Sequence, residues 1–359
     1  MARELTPDWI LKETLTLQSK AIMDFVHGQA SKASKKNDSG LTLTVLGCGT
    51  MGIAILGGIL DSLSSKISQY SASQTAPPTS ETATAAAPAP QRLPTKFNAC
   101  VRRQQSAKRI ETELGQYEAY QKVTLYKNDN LGPVHQADVV LLCCKPYMVG
   151  DVLKAEGIRE ALAGKLLISI CAGVTEPQIQ GMLPYQPHEK PCTIVRAMPN
   201  TAAAVRESMT VIGTSDPPLP AETNSLVTWI FTRIGRVVHL PPSNMDACTA
   251  LCGSGPAFAA LMCESLAAGA IAMGVPREES YLMAAQTMRG TTGLLLGGEH
   301  PAILRDKVST PGGCTIGGLL VLEEGMVRGT VAKAVREATV VAGQLGQGKV
   351  GVNGTRRGS

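Results

Sequence analysis

Residues 41–58 read LTLTVLGCGTMGIAILGG, and the order of that stretch decides the fold. An alternating run with β-branched residues passes straight into Gly47-Cys48-Gly49-Thr50-Met51-Gly52, and an apolar helical pattern follows at once. G-x-G-x-x-G alone is a weak signal; between a strand and a helix it is a dinucleotide-binding turn. The first glycine permits the tight turn, the second lets the backbone approach a pyrophosphate, and the third packs helix on strand. N–H groups at the start of the helix then meet the phosphate charge. The plain alternative is a glycine-rich turn that binds nothing.

Working outward, KFNACVRR (96–103) reads as the second strand and SAKRIETEL as the helix after it. Between turn and strand lies a Pro-, Ala-, Ser- and Thr-rich segment, about 66–95, whose composition cannot bury a core and reads as a disordered insertion. An acid at the end of the second strand would take a ribose 2′-hydroxyl. Here the strand ends in Arg102-Arg103 with no acid, and two guanidiniums suit a 2′-phosphate. NADPH is the cofactor this favours, with NADH as the alternative donor; a solvated basic turn is the non-functional reading. Further strands are expected at DVVLLCCKP (138–146), KLLISICAGV (165–174) and CTIVRAMPNT (192–201), with MTVIGT (209–214) and GRVVHLP (235–241) at the far edge. Apolar strands alternating with helices argue for a parallel sheet covered on both faces. Cys143-Cys144-Lys145-Pro146 lies at a strand's carboxyl end, where doubly wound sheets hold ligands. Lys145 is read as a cofactor contact, against a surface lysine.

From about residue 245 the pattern is nearly all helix. MDACTALCGSGPAFAALMCESLAAGAIAMGV reads as one long helix interrupted at GSGP; PREESYLMAAQTMRGTTGLLL, TIGGLLVLEEGM and TVAKAVREATVVAGQL are three more. They are too apolar on several faces to be surface decoration, so they pack on each other or on another subunit. The expected fold is α/β: an N-terminal Rossmann-type doubly wound parallel sheet, then an all-helical C-terminal domain. The boundaries are an extension over 1–40 (a short amphipathic helix and linker), a nucleotide-binding domain over 41–240, a helical domain over 241–345, and a disordered tail over 346–359.

Composition narrows the classes. The 359 residues suffice for two domains, and 44% apolar, 18% charged content and a net charge of +5 are ordinary for a soluble protein. No basic stripe interleaved with aromatics is present, which argues against nucleic acid as a partner. The ten cysteines include no C-x-x-C pair. They read as small core residues kept as free thiols in a reducing compartment, not as a metal site. Acids in MARELTPDWILKETL argue against a secretory or mitochondrial leader, and apolar runs are interrupted by glycine or polar residues. The expectation is a cytoplasmic protein with no membrane partner.

Taken in order from about 41 to 345, GCGTMG, CCKP, ICAGV, RAMPNT, ALCGSGPAF and DKVSTPGGCTIGGL resemble the pyrroline-5-carboxylate reductase family. The resemblance implies a Rossmann domain, a helical domain forming an interlocked dimer or higher homo-oligomer, and reduction of L-1-pyrroline-5-carboxylate to L-proline with NAD(P)H, the last step of proline synthesis. It implies cofactor contacts at Leu46, Gly47, Cys48, Gly49, Thr50, Met51 and Gly52, with Arg103 near the 2′-phosphate beside Arg102. Asn130 and Cys143 to Pro146 (with Cys144 and Lys145) match further cofactor contacts, and Ile170, Cys171 and Ala172 line the nicotinamide side. Asn200, in the MPNT segment, is grouped with them. Cys314 and Thr315 match the substrate loop. Cys48 and Cys314 replace the usual alanine, Lys307 stands where some relatives carry a ligand-contacting Asn, and Pro242 where many carry Glu.

The loop VSTPGGCTIGG (308–318) holds no metal ligand beyond a lone thiol, no acid and no base. Pro311 fixes a turn, and Gly312 and Gly313 leave N–H groups bare ahead of an apolar helix, which suits a carboxylate. Thr310, Gly312, Gly313, Cys314, Thr315 and Lys307 are the substrate-binding candidates, and Thr315 is the catalytic one, donating a proton to the ring nitrogen or only orienting it. A cyclic imine can arrive protonated from water, so the nicotinamide carries the hard step and no strong acid is needed. His300, just before Pro301, is read as a loop residue without a catalytic role. Two rivals remain: a hydroxyacid or imine reductase of the same architecture, and an inert NADP sensor or scaffold, which would not need this loop.

Overall fold

The computed structural model describes residues 40–64, 89–347, 349, 351, 352 and 354. The expected N-terminal helix, residues 66–88 of the insertion and most of the tail lie outside the described residues. Everything below concerns the compact unit Thr42–Ser359, into which β1 leads.

Eight strands form one sheet: β1 (Leu41–Leu46), β2 (Pro94–Val101), β3 (Val123–Lys127), β4 (Val139–Leu142), β5 (Leu166–Ser169), β6 (Thr193–Met198), β7 (Ser208–Gly213) and β8 (Gly235–Leu240). Their order is β3-β2-β1-β4-β5-β6-β7-β8. The registered pairs from β3 to β6 are parallel; β7 runs antiparallel to β6, and β8 parallel to β7. The chain therefore winds outward from β1 one way, crosses back, and winds the other way from β4. A crevice opens at that reversal, beyond the strands' carboxyl ends. The helices of this region are α1 (Thr50–Leu63), α2 (Gln104–Leu114), α3 (Leu131–Gln136), α4 (Val149–Leu153), α5 (Ile158–Leu162), α6 (Glu176–Met182) and α7 (Ala221–Thr232).

The core follows from a sheet buried on both faces. All four residues of β4 and of β5 are buried, as are Leu43, Val45 and Leu46 of β1. Thr44 is a polar exception, and it is satisfied: its hydroxyl donates to the Pro133 carbonyl at 2.9 Å and accepts from Asn98 Nδ2 at 3.1 Å. In α1 every residue from Gly52 to Leu60 is buried, so this helix is a core element and needs no polar face. Its Ile53, Ile55, Leu56, Ile59 and Leu60 each contribute about 1.5–3 kcal/mol by leaving water.

The strand β3 was not anticipated: VTLYK is half-exposed along its length, so its pattern lacks a buried face. The expected strands at 138–146 and 165–174 end sooner, at Leu142 and Ser169, and their remaining residues form the turns of the crevice.

The C-terminal helices are α8 (Met245–Cys248), α9 (Gly255–Ala272), α10 (Arg277–Leu296), α11 (Pro301–Val308), α12 (Cys314–Glu324) and α13 (Val327–Gly346). GSGP does not interrupt the long helix. A π turn at Thr249–Ser254 joins α8 to α9, and Pro256 enters at the first turn of α9, where its missing N–H costs nothing. The expected loop before VSTPGG is instead α11; its short, partly polar PAILRDKV hid the helical period. His300 caps it, its Nδ1 accepting from the Ala302 N–H at 3.2 Å, so that ring serves structure.

From α9 to α12 these helices are nearly uncovered. Of 18 residues in α9 only Ala267 is buried, α10 buries only Ser280 and Ala284, and α12 buries none. Leu282 is 70% exposed and Val321 66%. The continuous helix Pro242–Ala272 is long and apolar enough to cross a membrane by length and composition alone. An apolar surface of this extent calls for another surface against it, and a second copy of the same helices is the self-complementary way to provide one. Wild-type protein is expected to sediment as a dimer or larger at micromolar concentration, and Leu282→Asp with Val321→Asp to lower that mass or to aggregate. A monomeric wild type contradicts the reasoning.

Candidate active site

The turn after β1 is built as its residues demand. Gly47 has φ +77°, and a Cβ there would lie 2.8 Å from the Cys144 Cα, so no side chain fits between this turn and the end of β4. Gly49 donates its N–H to the Gly47 carbonyl at 2.7 Å and caps α1. A Cβ on Gly49 would meet only the Gly47 oxygen, at 3.9 Å, so the space above it is open. At Gly52 a Cβ would come within 3.0 Å of Val45 Cγ1, the close helix-on-strand contact. The first turn of α1 has no acid and no side-chain cap. Its N–H groups and the positive end of the helix dipole are left for an anion. An open glycine floor and an uncapped helix start fit a dinucleotide's pyrophosphate.

The other cofactor candidates gather on the same edge of the sheet. Arg102 and Arg103 follow β2; both are exposed, and Arg103 caps α2 through its carbonyl, which accepts from the N–H groups of Ser106 (3.0 Å) and Ala107 (3.3 Å). Asn130 caps α3 after β3. Cys143 to Pro146 follow β4, with the Cys143 N–H donating to the Leu46 carbonyl at 2.8 Å. Ile170 to Ala172 follow β5, with the Ile170 N–H donating to the Leu142 carbonyl at 3.1 Å. Asn200 follows β6, and its amide is engaged at both ends: Nδ2 donates to the Cys252 carbonyl at 3.0 Å, and Oδ1 accepts from the Ala202 N–H at 3.1 Å. It ties the sheet to the π turn. Arg109, on α2, was not singled out from the sequence, yet its Nη1 donates to Thr50 Oγ1 on the phosphate turn at 3.0 Å.

All but one of the thiols beneath the turn are held above the usual thiol range. Burial pushes Cys48 up, and burial with the Asp129 charge nearby pushes Cys100 up to about 12. Cys171 donates to the Cys144 carbonyl at 3.3 Å; separately, a hydrogen bond between the two thiols raises Cys171 and lowers Cys144. Cys143 is raised by burial. These raised thiols stay neutral near pH 7. No group of three metal-ligating residues is present among the described residues, and the described cysteines are free.

Next to the β5 turn lies a cavity of about 1780 Å³ lined by Pro146, Tyr147, Ala172, Gly173, Thr249 and Phe258 and by one flank of α13. The substrate-loop candidates are absent from its lining. In the loop the Gly313 N–H donates to the Thr310 carbonyl at 3.0 Å, with Pro311 and Gly312 (φ +69°) as the central residues. Proline then a left-handed glycine is what a type II turn requires. Gly313 caps α12 with no side chain, so the first N–H groups of that helix are bare. Thr310, Gly312 and Cys314 are exposed, and Gly313 and Thr315 partly so. Lys307 is exposed on α11 and paired with Glu299 at 2.8 Å. One chain thus brings the cofactor candidates together and holds the substrate candidates together, but does not join the two sets at this cavity.

Comparison with known proteins sharpens the assignment. Residues 242–345 match the family model described as pyrroline-5-carboxylate reductase dimerisation, and residues 42–173 match that of NADP oxidoreductase, coenzyme F420-dependent. The chain is 59% identical over 329 residues to a pyrroline-5-carboxylate reductase of Lophium arboricola, covering 90% of this chain and 99% of that one. It is 54% identical over 338 residues to that of Neurospora crassa, covering 89% and 98%. Among solved structures, a pyrroline-5-carboxylate reductase from Coxiella burnetii matches with a TM-score of 0.67 at 26% identity, covering 86% of this chain and 99% of that one.

Gly47→Ala places a Cβ against Cys144 at a left-handed φ, for an expected loss of about 1–3 kcal/mol in stability. It is expected to abolish dinucleotide binding, measured by calorimetry on folded protein. Unaltered affinity would show that the turn does not need its present shape.

Proposed function

The chain belongs to the pyrroline-5-carboxylate reductase family, and on that premise we propose how its residues share out the reaction. It is an NAD(P)H-dependent oxidoreductase that reduces L-1-pyrroline-5-carboxylate to L-proline. We place this step at the end of proline synthesis and in the cytoplasm, where the buried thiols stay reduced.

The nicotinamide cofactor supplies the hydride. The protein has to bind, orient and exclude water. The turn from Gly47 to Gly52 holds the pyrophosphate, Arg102 and Arg103 select the 2′-phosphate of NADPH over NADH, and Ile170 to Ala172 border the nicotinamide beside the cavity. The bare N–H groups opening α12 hold the substrate carboxylate, and the Thr315 hydroxyl lies at the ring nitrogen, orienting the imine and bonding the proton it carries. Substrate charge meets a preorganised helix end instead of mobile water, which favours the transition state without a strong acid.

One observation carries the division of labour. The Thr310–Gly313 turn presents its helix end on an uncovered apolar surface, while the cavity at Ala172 lacks that wall. We infer that the substrate loop of one subunit completes the cofactor crevice of another, and that Pro242–Ala272 packs on protein and not on lipid. The dimerisation match over 242–345 supports homo-oligomerisation.

Purified protein is expected to oxidise NADPH in the presence of pyrroline-5-carboxylate, forming proline. Arg102→Glu with Arg103→Glu should move the NADPH-to-NADH preference toward NADH by about tenfold or more, since each lost charge-assisted pair is worth about 1.5–3 kcal/mol. An unchanged ratio removes the 2′-phosphate assignment. Thr315→Ala should slow turnover about 10–100-fold for the loss of one transition-state hydrogen bond, with NADPH affinity retained. Collapse of NADPH affinity instead would remove Thr315 from the substrate end.

A further inference from the structure

Beyond Arg102 and Arg103, the nucleotide end of the crevice carries a third arginine, on α2. Arg109 lies on α2, and its Nη1 donates to the hydroxyl of Thr50, the first residue of α1, at 3.0 Å. Its Nε is paired with Glu113 one turn on, and the two side chains are 47% and 42% exposed. Glu113 therefore holds the guanidinium against the phosphate turn, at its edge facing α2. Beside it, Lys127 at the end of β3 donates to Gln104 Oε1 at 3.3 Å, and Lys127 stands in register with Val101, the residue before Arg102. Asp129, on the neighbouring loop, is also exposed and accepts from the Gly132 N–H at 3.0 Å. Arg102, Arg103 and Lys127 thus stand at the ends of β2 and β3, and Arg109 on the helix that follows β2.

A guanidinium offers five N–H donors in a rigid fork. In Arg109 one goes to Glu113 and one to a neutral hydroxyl, a weak partner for a cation. Nη2 has no partner among the described residues. The pyrophosphate would be met by the uncapped backbone N–H groups at the start of α1, on the open side of the turn. The α2 side, where Arg109 waits, is the side on which Arg102 and Arg103 end β2. We propose that Arg109 is a specificity residue for the cofactor: with its Thr50 bond as a tether, it pairs with the adenosine 2′-phosphate and completes a three-arginine clamp. The proposal rests on the cofactor reading above.

The test uses the full-length oligomer and two measurements, KM for NADPH and for NADH with pyrroline-5-carboxylate, and calorimetric binding of 2′,5′-ADP and 5′-AMP without turnover. In Arg109→Gln the affinity for 2′,5′-ADP and the KM for NADPH are expected to worsen about tenfold or more, the worth of a charge-assisted pair. The loss should be confined to nucleotides bearing the 2′-phosphate. Arg109→Lys keeps the charge without the fork and should recover part of it. Equal losses for NADPH and NADH, or for both monophosphate-end probes, overturn the proposal in favour of a pyrophosphate or packing role. No change in any of them overturns it too, while leaving the function reading intact if NADPH is still oxidised. A wild type that binds neither probe nor NADPH overturns the function reading, and this proposal with it.

Discussion

Everything at the nucleotide end depends on one close approach, that of the Gly47 backbone to Cys144. A parallel sheet that winds outward in two directions leaves a crevice beyond the carboxyl ends of the paired strands β1 and β4, and the turn after β1 has to lie at its floor. With the left-handed φ at Gly47 and no Cβ, the turn drops onto the end of β4 and α1 leaves at the angle that buries it from Gly52 to Leu60. The same contact aims the uncapped start of α1 into the crevice. A side chain at that position would lift the turn, tilt the helix and misdirect the N–H groups together. Core packing and the direction of the uncapped helix start are therefore one constraint and not two.

At the other end the constraint is incompleteness. Helices α9, α10 and α12 bury almost nothing within the chain, yet they are apolar and small-sided, with Gly and Ala at frequent intervals. Such faces gain stability only against another face of similar shape. The loop we propose for the substrate is mounted on them, between α11 and α12, so its position is set by whatever covers them. In this reading the assembly decides where the carboxylate-binding helix end stands relative to the nicotinamide, and oligomerisation becomes part of catalysis as well as of stability.

The chemistry is correspondingly plain. Ten cysteines suggest reactivity, but those beneath the turn are buried and raised, apart from Cys144 bonded to Cys171, and they fill space. His300 caps a helix and Asn200 ties the sheet to a π turn. What the proposed mechanism draws on is a set of N–H groups at helix starts, a hydroxyl and several arginines. That set suits a reaction whose difficult step belongs to the cofactor.

The sequence by itself determined the class of fold and the direction of the chemistry, because those depend on local patterns. Strand, glycine turn and helix occur in one unbroken run at 41–63, and the turn signal in TPGG is complete within four residues. Element ends were less legible: the CCKP and ICAG segments carry the same apolar residues as their strands but leave the sheet, since pairing ends where the partner strand ends. β3 and α11 were hidden because neither has a clean buried face. Only the tertiary structure decided which distant groups meet. Arg109 and Thr50 are 59 residues apart and Asn200 and Cys252 are 52 apart, and no periodicity encodes such a pairing. It also decided that the substrate loop is missing from the cavity beside Ala172. Local sequence can specify a helix start, but which crevice that start faces is set by packing, and here by packing the single chain leaves unfinished.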